Sequence, residues 1–496
     1  MSLARKVTIN ASALAGGRVL SSLSGLVAVG IATRYLHPDS YGALIAAIAF
    51  TGILIPLTDL GTSIIGAREL AKRPDETDRL LGAIFTISAL LSLAACVVGI
   101  GVMFAVYPGA DHHLEREAIL ILLLPTLLGA PATTAGTYFI SEQKAYIGAV
   151  ASVIGSLALL GILAASAGLA WGFTGVAAAY AANSVVYAAF MLIFGLQRGV
   201  RMRPSLDRAL CTQLLKWAVP LGLGVIVNAI YSRIDVVLLS ALASQGEVGV
   251  YGLAYKVVDV LMILPAYITI TLLPEFARLS EHRERLGQVT QKAFSLLQFA
   301  TAPMLIVMVV FAGEVITMAG GADFSKAAPI LQILMLTVLF SYLQAVCWQG
   351  LLAMNQQNAI LRISLACLVV NVILNLALIP LWGGIGAAIA MAATEIAVVS
   401  FTFARFARLA DVPRPVHLPQ YLLAAGLGAS VGLLKLVPGV DAAPSPVIFV
   451  TGGALVVVVY VAALYAMKAV PEVVRESLVA PIWARLRPRQ LAARRS

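Results

Sequence analysis

The sequence predicts an all-α polytopic membrane protein of about fourteen transmembrane helices, built as two six-helix lobes in parallel repeat with two C-terminal helices appended. Three observations predict it. Apolar runs of about 20 residues, each enough to cross a ~30 Å hydrocarbon core, recur from end to end. Charged residues make up 12% of the 496 residues and the mean hydropathy is +0.94, whereas soluble domains carry about 25% charge. Segments of the first half also return in the second half at an offset near 210 residues.

The spans follow in order. MSLARKV leads into a run over 11–33, longer than the 7–15-residue core of a cleaved signal, so it is read as a retained first span. Apolar runs between polar breaks then place spans at 42–66, 82–106, 117–139, 147–168 and 174–195. A second set runs over 214–241, 250–273, 293–317, 329–351, 358–380 and 385–404, followed by 418–437 and 446–467. The connections are short and leave no room for a large soluble domain.

Orientation follows from the basic residues. One set of alternate loops, with both termini, holds 26 of the 34 Lys and Arg. Both termini are therefore expected in the cytoplasm, which an even number of spans satisfies. The net charge of +10 is spread over that face and is explained by topology and anionic lipid headgroups, with no nucleic-acid partner implied. The C-terminal tail is basic and reads as an interfacial or solvated segment.

Internal repetition is the most informative pattern. YGALIAAIAFTGILIPL at Tyr41 is echoed by YGLAYKVVDVLMILPAY at Tyr251, and AREL at Ala67 by ARLS at Ala277, both 210 apart. WGFTGVAAA at Trp171 returns as WGGIGAAIA at Trp382, 211 apart. Lobes are expected over 1–205 and 206–410, spans 13 and 14 over 411–470, and a basic cytoplasmic tail over 471–496. An even number of spans per copy makes these parallel repeats about an axis along the membrane normal, a transporter architecture.

Charges inside the spans are costly and usually face a cavity or a partner. Arg18 in span 1 and Asp59 in span 2 fall at similar depth, so a pair between them is expected. Arg233 in span 7 and Asp235 are two apart and point away from each other on a helix. Lys256 and Asp259, at i and i+3, can pair, and Arg233 is expected to face a cavity or Asp259. Glu395 sits near the middle of span 12. The cations Arg18, Arg233 and Lys256 suggest an anionic substrate, because guanidinium matches phosphate oxygens in a fork and ammonium acts as a point charge. Asn183, Asn371 and Asn375 are candidate interhelical or sugar hydrogen bonders.

Other features stay in the background. Cys96, Cys211, Cys347 and Cys367 are scattered without a CxxC, so neither a disulfide framework nor a metal site is expected. DHHLERE at Asp111 is not read as a metal site. No GxxxxGK[ST] is present, so no nucleotide-driven pump is built in.

RYLHPDSYG (34–42), TDLG (58–61) and AREL, then RIDVVLLSALASQGEVGVYGLAYKVVDV and LPEFARLSEH, resemble the Wzx-type flippases for lipid-linked oligosaccharides. These belong to the multidrug/oligosaccharidyl-lipid/polysaccharide (MOP) exporter superfamily. The resemblance covers nearly the whole chain through loose patterns. It implies a transporter, not an enzyme, that moves an isoprenoid-pyrophosphate-linked oligosaccharide to the outer leaflet by alternating access in the cell membrane. It also implies that Arg18, Arg233 and Lys256 engage the pyrophosphate. Asp59, Asp235, Asp259 and Glu395 are the candidates for ion coupling or charge pairing, with a proton or sodium gradient in place of a cofactor. Membrane lipids, a polysaccharide polymerase and glycosyltransferases are the implied partners. A lipid II flippase or a cation-coupled multidrug exporter of the same superfamily remains open. A membrane glycosyltransferase or polymer ligase is remote, since the longest outer loop is short.

Overall fold

The computed structural model describes residues 3–205, 207–412, 418–434, 445–467 and 470. The expected tail 471–496 lies outside the described residues, as do Arg414 and Lys435. Among the described residues every regular element is helical. They are α1 (Leu3–Tyr35), α2 (Pro38–Leu54), α3 (Thr62–Lys72), α4 (Thr77–Val106), α5 (His113–Leu127), α6 (Gly129–Ser141), α7 (Tyr146–Gly168), α8 (Gly172–Gln197) and α9 (Arg208–Tyr231). There follow α10 (Ile234–Leu242), α11 (Gln245–Leu261), α12 (Ile263–Arg278), α13 (Arg283–Val310), α14 (Ala312–Gly320), α15 (Ala327–Ala353), α16 (Gln357–Ala407), α17 (Leu418–Leu434) and α18 (Ser445–Ala466).

Ten of these helical stretches are long and apolar enough to cross a membrane, and α5 with α6, bent by 47°, supplies an eleventh. A fourteen-span reading is consistent with this. It takes α11 and α12 as one broken span, adds the 17-residue α17, and divides the 51-residue α16 at Gly383, whose φ of 54° and ψ of −131° interrupt the helix. Gly383 tolerates that backbone because it lacks a Cβ. The Glu247 carboxylate accepts from the Gly384 N–H at 2.9 Å and holds the interruption.

Five of the expected spans are interrupted, among them 293–317, which stops at Phe311 between α13 and α14. The run over 42–66 splits into α2, a 3₁₀ turn at Ile55–Thr58 and α3. Pro56 cannot donate to the ladder and crowds the preceding turn, and Leu60 and Gly61 then take left-handed backbone, φ 46° and 79°. The run over 117–139 bends at Leu128, three residues after Pro125. The run over 214–241 stops at Ser232–Arg233, and the run over 250–273 stops at Met262, just before Pro265.

Two compact units can be told apart. One comprises Met1–Val260, Ala319–Ala327 and Ser364–Met391. Within it α1 packs on α7, α7 on α8, α2 on α5 and α10, and α3 on α6 and α9. Its cores include Leu80, Leu81, Ile84 and Leu214 in one cluster, and Phe139, Ile147 and Met191 in another. The other unit comprises Leu261–Met318, Ala328–Ile363 and Ala392–Ser496. There α17 and α18 cover α13, with Phe299 against Tyr460 and Phe311 against Phe449 at ring-centroid distances of 6.0 and 6.2 Å.

The connection before α9 is tied to the start of α4. Arg79 bonds Asp207 through Nη2 at 2.6 Å and Nε at 3.0 Å, while Asp207 caps α9 by accepting from the Leu210 N–H at 3.0 Å. The cap hydrogen bond first, and the Arg79 guanidinium next, hold the Asp207 carboxyl below its ordinary value of 3.8. A depressed carboxyl contributes stability above its ordinary pKa and loses it as pH falls through the depressed value. The melting advantage of wild type over Asp207→Asn is therefore expected at neutral pH and should shrink as pH is taken below 3.8. A pH-independent gap would refute the linkage.

Candidate functional site

The break after α9 presents Arg233. Ser232 N–H bonds back to Asn228 O at 3.0 Å and Arg233 N–H to Ile230 O at 3.1 Å, closing α9. Arg233 then leaves helical backbone at φ −138° before α10 begins. Two tyrosines of α11 hold this break. Tyr255 donates its hydroxyl to Ser232 O at 3.2 Å, and Tyr251 donates to the Asp235 carboxylate. Asp235 also accepts from the Val236 N–H at 2.9 Å and is 1% exposed. It ties α10 to α11 beside Arg233.

Arg233 reaches back over α11. Its guanidinium lies 5.5 Å from the Tyr255 ring centroid, with Nη2 3.5 Å from Asp259 Oδ2. Lys256 Nζ lies 3.3 Å from the same oxygen. All three side chains are about 30% exposed, at 29%, 27% and 33% for Arg233, Lys256 and Asp259. Two cations thus share one carboxylate oxygen. Counted by themselves, Arg233, Lys256 and Asp259 carry one net positive charge, with Asp235 engaged by Tyr251 and the Val236 N–H.

Two cavities line one face of α1. A smaller one of about 200 Å³ is bounded by Ser22, Gly25 and Val29 of α1, Tyr180 of α8, and Lys256 and Asp259 of α11. A larger one of about 550 Å³ is bounded by Arg18, Ser21 and Ser22 of α1, Ser152 of α7, and Asn183 and Tyr187 of α8. Residues 18, 22, 25 and 29 recur at helical spacing, and Ser22 belongs to both cavities. Arg18 and the Arg233–Lys256 cluster therefore sit at separate stations along one helix face.

The expected Arg18–Asp59 pair is not formed. Asp59 instead accepts from Thr62 Oγ1 at 2.8 Å, Ser63 N–H at 2.8 Å and Ser63 Oγ at 2.6 Å. The interruption of the second span turns Asp59 into a cap for α3, a nearer and better-aligned use than reaching another helix. It borders a third cavity of about 560 Å³, which shares Gly136, Ile140 and Tyr187 with the Arg18 cavity. Losing a cap of this kind costs about 1 kcal/mol. Asp59→Ala is expected to lower stability by that amount and Asp59→Asn, which keeps an acceptor, by less. Equal melting of the two variants would contradict the cap.

Glu395 lies in the other unit, 3% exposed, accepting from Ser341 Oγ of α15. Asn375 Nδ2 bonds Asn371 O at 2.9 Å and its side-chain oxygen at 3.0 Å, whereas Asn183 faces the Arg18 cavity. Tyr251, Tyr255 and Tyr180 escaped the sequence reading. A signal was present, because Tyr251, Tyr255 and Asp259 recur every four residues and so share one face of α11.

Against known proteins, a model described as polysaccharide biosynthesis protein matches residues 7–280, and a MatE model matches 220–377. Among curated proteins the chain is 23% identical over 372 residues to "Probable flippase AglR" of Haloferax volcanii, covering 71% of this chain and 73% of that one. It is 22% identical over 341 residues to "Lipopolysaccharide biosynthesis protein WzxC" of Escherichia coli K12, covering 67% of each. Among solved structures, the lipid II flippase MurJ in an inward closed conformation superposes with a TM-score of 0.75 at 15% identity, over 92% of this chain and 99% of that one. An inward-facing MATE multidrug transporter of the MOP superfamily superposes with a TM-score of 0.66 at 16% identity, over 79% and 96%. The two structures share the fold. Because the first family model spans more than half of the sequence, the chain belongs to the polysaccharide biosynthesis protein family.

Proposed function

We propose that this protein is a Wzx-type flippase that carries an isoprenoid-pyrophosphate-linked oligosaccharide from the cytoplasmic to the outer leaflet of the cell membrane. One observation carries the reading. Arg233 and Lys256 share the single carboxylate of Asp259 at 3.5 and 3.3 Å, which leaves a cationic, half-buried station beside a cavity. A pyrophosphate is the lipid-borne group best matched to a fork and a point charge together. Arg18 offers a second anion contact. Family membership and the flippase relatives support the cargo class.

The transport cycle is alternating access between the two six-helix lobes, 1–205 and 206–410, with both termini in the cytoplasm as the loop charges require. Asp259 is the coupling carboxylate best placed to act. Taking up a proton or sodium ion would cancel the charge that competes with pyrophosphate for Arg233 and Lys256. Asp59 and Glu395 are the further candidates. A polysaccharide polymerase and glycosyltransferases are the enzymes that would consume and supply this cargo.

The test is transbilayer movement of fluorescent undecaprenyl-pyrophosphate oligosaccharide in liposomes holding the purified protein, beside lipid II and a lipophilic organic cation. Movement of the oligosaccharide lipid alone supports the reading, while movement of lipid II alone would transfer it to that substrate. The third cavity, with one carboxylate at Asp59 among apolar and hydroxyl side chains, favours the organic cation as the second reading.

A further inference from the structure

We infer that the larger cavity on α1 is a subsite for the first sugars of the glycan, and that Arg18 in it reads a carboxylate-bearing (uronic) sugar. This rests on the cargo proposed above. The two stations differ in their chemistry. At the Arg233–Lys256 station two cations stand ready for a multiply charged group. In the larger cavity a single guanidinium stands among hydroxyls and an amide, from Ser21, Ser22, Ser152, Asn183 and Tyr187. No carboxylate among the described residues pairs with Arg18, unlike the cations near Asp259. One charge beside several neutral donors and acceptors fits a ring carboxylate flanked by ring hydroxyls. A carboxylate takes guanidinium in a bidentate fork.

Space and placement agree. At about 550 Å³ the cavity is within the range of small-ligand sites. Gly136 and Gly148 keep it open, since a methyl group built at either meets only one side-chain atom, at 3.6 and 3.8 Å. Along α1 the residues bordering the two cavities are centred about six apart, roughly 9 Å of helix axis. A cargo anchored by pyrophosphate at Lys256 and Arg233 would therefore lay its first few sugars toward Arg18, past the shared Ser22.

The test compares a lipid-linked trisaccharide containing glucuronate with its methyl ester in the liposome assay. Wild type is expected to move the acid about tenfold faster than the ester, the worth of one charge-assisted hydrogen bond. Arg18→Gln should bring the ratio near one, Arg18→Lys should keep part of it, and Arg233→Gln should slow both lipids with the ratio unchanged. No preference in wild type, or an undiminished preference in Arg18→Gln, overturns the inference. If wild type moves neither lipid, the cargo proposal fails, and binding of the free trisaccharides to the detergent-solubilised full chain decides this one. Acid bound about tenfold tighter than ester, dependent on Arg18, sustains it, and equal or absent binding of the two overturns it.

Discussion

Arg233→Ala and Lys256→Ala are each expected to slow transfer of a pyrophosphate-linked glycan at least about tenfold, and the double variant to abolish it, with normal amounts of protein in the membrane. The order follows from charge. Arg233, Lys256 and Asp259 carry one net positive charge. Either single variant leaves a neutral pair, and the double variant leaves an unpaired carboxylate facing an anionic cargo. At an effective dielectric near 20, one unit charge at ~4 Å is worth about 4 kcal/mol, and solvent screening at these partly exposed groups reduces it further. Even the 1.5–3 kcal/mol of a charge-assisted hydrogen bond corresponds to roughly ten- to a hundredfold. The same arithmetic predicts a rescue, since Arg233→Ala with Asp259→Asn returns the site to one positive charge and should regain part of the rate. A double variant that flips normally would remove the docking role. A combination with Asp259→Asn that stays as slow as Arg233→Ala would show that restored charge is not enough, either because Arg233 is a geometric requirement or because the Asp259 carboxylate itself is needed for coupling.

Gly42→Val is expected to prevent assembly of the α2–α11 crossing, with loss of folded, extractable protein. A methyl group built on Gly42 would stand 1.8 Å from Gln245 O, and one on Gly249 would stand 2.2 Å from Pro38 O. Both obstacles are backbone atoms, which cannot rotate aside as a side chain can. The expected cost is at or beyond the ~3 kcal/mol upper end of over-packing. Gly249→Val should behave alike, whereas Gly101→Ala, where nothing lies within 4 Å, should extract and melt as wild type. Size-exclusion profiles of fluorescently tagged protein, with melting curves, would decide it. A monodisperse Gly42→Val peak at wild-type yield would show that the helices separate at little cost.

These glycines connect the repeat in the sequence to contacts in the fold. Tyr41–Gly42 and Tyr251–Gly252 open matched segments of the two repeats. Both tyrosines are fully buried, and a methyl group built on Gly252 would meet Ile45 Cγ2 at 2.6 Å. Small residues let membrane helices approach closely, and the matched segments place a glycine after each tyrosine. The Lys256–Asp259 pair was legible, because i and i+3 positions meet on any helix. Arg233 was harder to read. Its reach to Asp259 depends on the helix ending at Ser232, and nothing in the apolar run over 214–241 marks that ending apart from the polar residues themselves.

The sequence by itself determined that this chain is a bundle of membrane-spanning helices, which stretches form them, that the chain repeats, and which charges the membrane would not leave unsatisfied. Those properties follow from local spacing and from the cost of bare backbone and charge in hydrocarbon. Tertiary structure decided that the helix ends at Ser232 ahead of Arg233, that Asp59 serves the α3 terminus instead of Arg18, that Asp235 is bound to Tyr251, and that Arg18 borders a cavity between α1, α7 and α8. These depend on which polar groups come within about 3 Å of one another, within one turn for Asp59 and between separate helices for Asp235, and hydrogen-bond energy at that range is set by geometry that no periodicity encodes.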